Sequence, residues 1–84
     1  MTIIYTVDAF DRVDELLVFE VEVPKEKLPE VSEVMEWSEE DYNDFAAGLG
    51  GWNLTEQKVR AIEGILGQEF YQEDLDYQIS GGEV

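Results

Sequence analysis

The chain contains no cysteine and no histidine, and only five of its 84 residues are lysine or arginine. Without cysteine there is neither a disulfide framework nor a thiolate metal site, so redox logic says nothing about compartment. Without histidine the commonest metal ligand and the usual near-neutral base are both missing. So few cations leave little with which to grip phosphate, and nucleic acid is not an expected partner. No stretch approaches the about 18 apolar residues that a spanning helix requires. The opening Met1-Thr2-Ile3-Ile4-Tyr5 lacks the basic leader and apolar run of a signal peptide, so a cytoplasmic location is expected.

What the chain has in excess is acid: 21 aspartates and glutamates, and a formal net charge of -16. Like charge at this density opposes folding through self-repulsion. It also favours solubility and a monomer before binding, and it creates a field that speeds encounter with a positive surface. The same field repels nucleic acid and anionic membranes, so the expected partner is a basic protein. High net charge often accompanies disorder, but 44% hydrophobic and 12% aromatic residues supply a core. One domain over residues 1–84 is expected, because a chain this short has no room for a second core.

Ile3, Tyr5 and Val7 alternate with Ile4 and Thr6, which predicts a strand over Thr2–Val7. The segment Asp8–Glu15 is rich in turn formers. Leu17, Phe19, Val21 and Val23 then alternate with Val18, Glu20 and Glu22, the period of a half-buried second strand. A short polar loop between two strands makes an antiparallel hairpin, with the odd residues inward and Glu20 and Glu22 in water. Pro24 ends the ladder for lack of an amide hydrogen, and Pro29 suits the first turn of a helix reaching Trp37. Ser38 is placed to cap a helical turn through Phe45, which Gly48, Gly50 and Gly51 stop. Thr55 caps the clearest helix, in which Val59, Ile62, Ile65 and Leu66 recur until Gly67. Gly64 inside that helix suggests the close approach of another element. The alternation of Leu75–Ser80, ended by Gly81-Gly82, predicts a third strand. The expected architecture is α+β: strand, strand, helix, helix, strand, with a small antiparallel three-stranded sheet and the helices packed on one face.

Carboxylate pairs such as Glu39-Glu40, Asp14-Glu15 and Glu73-Asp74 could in principle serve as general acid and base. In so acidic a chain such pairs arise by chance, and no catalytic residues, and hence no enzyme, are expected. Glu39, Glu40, Asp41, Asn43 and Asp44 offer hard oxygen ligands, but their spacing does not match an EF-hand loop, and no dedicated metal or cofactor is expected. Gly48-Leu49-Gly50-Gly51 resembles a phosphate loop only in glycine content, lacking the lysine and the preceding strand.

One constellation suits protein capture: Glu36, Trp37, Glu39, Glu40, Asp41, Tyr42, Asp44, Phe45 and Trp52 interleave acids with aromatics in an irregular segment. Aromatic anchors carry binding energy while surrounding charges set encounter rate and specificity. The competing reading is that Trp37, Phe45 and Trp52 close the core of a small domain. A second acidic stretch, Glu69–Asp76, reads as a solvated loop leading into the last strand.

Tyr5 with Phe10-Asp11, the run Glu15–Glu20, Leu28-Pro29, Met35-Glu36-Trp37, Leu54-Thr55 with Gln57, Ile62-Glu63, Ile65-Leu66-Gly67 and Asp76-Tyr77 together resemble small acidic bacterial immunity proteins. These are encoded beside toxin domains of bacteriocins and contact-dependent inhibition systems. The resemblance spans most of the chain through core-forming positions and carries no family binding residue over. It implies an inhibitor that covers the active site of a basic cognate toxin, often a nuclease. Two other classes remain open: a nucleic-acid mimic that blocks a DNA- or RNA-binding protein, and an assembly module that pairs through a sheet edge.

Overall fold

The computed structural model describes residues 2–83 and contains one antiparallel sheet with helices on one of its faces. In chain order the elements are β1 (Ile3–Asp11), β2 (Leu17–Val23), a 3-10 turn (Lys25–Lys27), α1 (Leu28–Met35), α2 (Glu39–Ala46), β3 (Gly51–Leu54), α3 (Glu56–Leu66) and β4 (Leu75–Glu83). The α+β class holds, but the sheet has four strands, in the order β2-β1-β4-β3. The expected three-stranded sheet is therefore corrected by one strand, and the expected two helices by one.

The additional strand, β3, lies in the glycine-rich segment that reads as irregular from sequence. Gly48 and Gly50 adopt left-handed φ values of 81° and 74°, which turn the chain out of α2. Gly51 then enters an extended strand that pairs with β4, setting Trp52 against Ile79 and Leu54 against Tyr77. Two strands also run further than their sequence signals. β1 continues through Asp8–Asp11 because the alternation persists there: Ala9 is buried and Asp8 and Phe10 point the other way. β4 continues through Gly81-Gly82 alongside Tyr5 and Ile4 of β1. A Cβ at Gly81 would stand 3.0 Å from the Tyr5 ring and 3.3 Å from the Phe45 carbonyl oxygen, so glycine lets the sheet approach the end of α2.

The helix signals match the structure more closely. Ser38 Oγ accepts from the Asp41 amide at 3.2 Å and starts α2. Thr55 Oγ1 accepts from the Lys58 amide at 3.3 Å and starts α3, which Gly67 ends in a left-handed turn. Gly64, however, has nothing within 4 Å of where a side chain would begin, so no element approaches there.

The core forms where the odd residues of the sheet meet the helices. Tyr5, Val7 and Ala9 of β1, Val23 of β2, and Leu75, Tyr77 and Ile79 of β4 are buried against Leu28, Val31 and Met35 of α1, Phe45 of α2, and Val59 and Ile62 of α3. Each fully buried large side chain contributes about 1.5–3 kcal/mol, which is what holds so strongly charged a chain together. The opposite sheet face, made by the even residues of β1, carries no helix among the described residues.

One buried carboxylate belongs to this framework. Glu63 of α3 is 6% exposed. It accepts from the amides of Phe70 at 2.5 Å and Tyr71 at 2.9 Å, and from Arg60 Nη1 at 3.4 Å. Burial alone would raise its pKa. The Tyr71 and Phe70 amides and the Arg60 charge together outweigh burial and hold it below the usual carboxylate range. Arg60 also lies over the Tyr71 ring, 4.7 Å from its centroid. The Tyr77 hydroxyl donates to the Phe70 carbonyl and accepts from the Gln72 amide, both at 2.8 Å. The acidic connector that reads as a solvated loop is thus pinned through its backbone from Phe70 to Gln72.

Candidate functional site

The acid-and-aromatic segment divides into an inner layer and an outer one. Phe45 is fully buried. Its ring centroid lies 4.7 Å from Trp37, 5.8 Å from Trp52 and 5.0 Å from Tyr5, and the two tryptophans are 4.8 Å apart. The Tyr5 hydroxyl ties this cluster to α2 by donating to the Ala46 carbonyl at 2.6 Å. Trp37 and Trp52 are half-buried, and the Trp37 Nε1 hydrogen is buried without an acceptor among the described residues. The rings therefore close the core, sealing the space between α1, α2 and β3. An unpaired indole donor is a cost that their mutual packing offsets.

The acids of that segment lie outside the ring cluster. Glu36, Glu39, Glu40 and Asp44 are exposed, while Asp41 and Tyr42 are half-buried. Glu39, Glu40 and Asp41 occupy the first turn of α2, where the partial positive charge of the helix start stabilises them. Glu36 ends α1 in a left-handed conformation with φ 56°. The structure thus brings the predicted residues into one region, but withdraws Phe45 from its surface altogether and leaves Trp37 and Trp52 only partly exposed. Among the described residues, no three acidic side chains come together to hold a metal ion.

A second surface was not singled out by sequence reasoning. On the face without helices, Ile4, Thr6, Asp8 and Phe10 of β1 line a shallow depression of about 290 Å³ with Leu17 and Glu20 of β2 and Ser80, Gly81 and Gly82 of β4. At its floor the Asp8 carboxylate accepts from Thr6 Oγ1 at 2.7 Å and from Ser80 Oγ at 3.0 Å. Asp8 pairs directly across the ladder with Glu20, and Phe10 with Leu17. Besides Leu17 (47%), which lines the depression, the hairpin end exposes Val13 (94%), Leu16 (66%) and Val18 (52%). The signal for this face was present in the alternation of Ile4 and Thr6, but Asp8–Asp11 reads as a turn, which hides its second half.

Neutralisation within the molecule is sparse. Among the described residues, Arg12 pairs with Asp76 at 2.9 Å, and Arg60 with Glu56 at 3.8 Å and Glu63 at 3.4 Å. Only Glu63 of these carboxylates is buried; exposed pairs of this kind contribute little. No helix among the described residues is long and apolar enough to cross a membrane.

No curated protein and no solved structure matches the chain. A family does: the one described as Domain of unknown function (DUF7683) matches residues 4–80. The chain belongs to that family.

Proposed function

We propose that this domain is a non-enzymatic inhibitor that captures a basic protein, and that it acts as an immunity protein against a cognate toxin, a nuclease by preference. The observation that carries the reading is the display of charge. The sequence holds 21 acids, and among the described residues only Asp76, Glu56 and Glu63 form ion pairs within the chain. Exposed carboxylates left unpaired weaken the fold through mutual repulsion, and a basic surface relieves that repulsion on contact. A nuclease that grips phosphates offers such a surface, and carboxylates spaced along α2 and β2 stand where phosphates would.

The test mixes the purified domain with a panel of basic toxin nuclease domains and follows cleavage, association rate and dissociation across salt. The expected result is inhibition of one nuclease of the panel. Association should slow steeply with salt, while the complex persists at about half-molar salt, where the Debye length is about 4 Å. Neutralising Glu39, Glu40, Asp41 and Asp44 together slows association and leaves the fold intact. Graded binding to many basic proteins, all released by salt, would replace the immunity reading with that of a nucleic-acid mimic.

A further inference from the structure

The depression on the helix-free sheet face has two features that stability alone does not require. Asp8 and Glu20 are direct cross-strand neighbours on the same face. Such neighbours have Cβ atoms about 4.5–5.5 Å apart, and two carboxylates there repel. Thr6 and Ser80 hold one of the pair, Asp8, by hydrogen bonds to both of its oxygens. Its orientation is fixed, while no cation among the described residues pairs with it. The walls beside this pair are apolar: Ile4, Phe10 and Leu17.

We propose that this depression receives a cationic side chain, an arginine by preference, projecting from the basic partner protein. An arginine has an apolar stem and a planar charged head, and the depression offers both counterparts. The stem lies over Ile4 and Leu17, the guanidinium reaches Asp8 and Glu20, and the Phe10 ring adds a face for the cation. Glu22, opposite Thr6 on the same face of β2, extends the negative field along the strand. The exposed Leu16 and Val18 at the hairpin end supply apolar contact around it. A second copy of this chain is a poor occupant, because it would bring Glu20 and Glu22 toward another acidic surface.

This assignment rests on the reading that the partner is basic, and the experiment separates the two. The full chain is titrated at low salt with a short blocked peptide of alternating arginine and glycine, while backbone amide resonances are followed. A glutamate–glycine peptide serves as the blank. Expected are shifts concentrated at Thr6–Phe10 and Ser80–Gly82, and an affinity loss of about tenfold in Glu20→Gln/Glu22→Gln against less than about threefold in Glu39→Gln/Glu40→Gln. Both variants remove the same charge. Glu20→Gln alone should also raise the melting temperature while weakening binding, which a merely structural glutamate would not do. Equal losses in the two double variants, or dimerisation through this face in sedimentation, overturn the depression as the site and leave the basic-partner reading standing. Absence of any binding to the arginine peptide overturns both.

Discussion

Two regions of the molecule invite opposite readings from sequence, and the structure buries more of the first and exposes more of the second than those readings expect. The segment Glu36–Trp52 combines acids with the largest aromatics, which is the composition of an interface, yet Phe45 is fully buried and both tryptophans pack around it. The β1–β2 hairpin reads as plain framework, yet it exposes Leu16, Leu17 and Val18 and forms most of an uncovered acidic depression. The difference teaches that in so small a domain the rings are consumed by the core. A sheet face is left uncovered because three short helices pack against only one side.

The sharpest way to break that comparison is to truncate one residue in each region. Phe45→Ala removes a ring packed among Tyr5, Trp37 and Trp52 and should cost about 3–5 kcal/mol in urea unfolding. Leu17→Ala and Val18→Ala remove side chains that are about half exposed, and each should change stability by less than about 0.5 kcal/mol. Comparable costs at the two sites would mean that the hairpin end is packed in solution, and the contrast would disappear.

Glu63 tests whether every acid belongs to the displayed set. Glu63→Ala leaves the Phe70 and Tyr71 amides without their acceptor, and should destabilise the domain by roughly 2–4 kcal/mol. Its pKa is lower in the folded state than in the unfolded chain. Its contribution is therefore full above the unfolded-state value and is lost as pH falls through the folded-state value. Thermal unfolding followed against pH should show an acid limb that is shallower in Glu63→Gln than in the parent. An identical limb in the variant would place Glu63 with the exposed acids.

How far the sequence discloses this arrangement depends on the kind of signal. The hairpin, the α3 helix and its caps at Thr55 and Gly67 are legible because period and capping chemistry act locally. β3 is not, because Gly51, Trp52, Asn53 and Leu54 form only one and a half alternations and become a strand through pairing with β4. α2 is legible at its Ser38 cap but reads only as a helical turn, because Phe45 is its one buried residue and the acids around it dilute the apolar stripe. Gly81 reads as a stop, but its role is to admit Tyr5 and the Phe45 carbonyl, a tertiary demand with no local signature. For the same reason the acids and aromatics near α2 could be grouped from sequence, whereas the convergence of Asp8, Glu20 and Ser80 needed the register of three strands.

The smallest effect sharpens the comparison at the level of backbone. Each region contains one non-glycine residue in the left-handed conformation: Glu15 with φ 62° in the hairpin turn and Glu36 with φ 56° at the end of α1. Both are held by main-chain bonds. The Glu15 amide donates to the Asp11 carbonyl at 2.9 Å, and the Glu36 amide donates to the Glu33 carbonyl at 3.2 Å. A side chain there costs about 1–2 kcal/mol. Glycine removes that cost but raises the entropy of the unfolded chain, leaving a net gain of about 0.5–1 kcal/mol. Glu36→Gly should show this gain in full, since the next residue, Trp37, is fixed among the rings and the turn cannot relax. Glu15→Gly should match it if the hairpin turn is as firmly held. A gain at Glu36 alone, read by chemical unfolding, would show that the turn at Glu15 already escapes its strain. The exposed end of the hairpin would then be the softer of the two regions and would become ordered only against a partner.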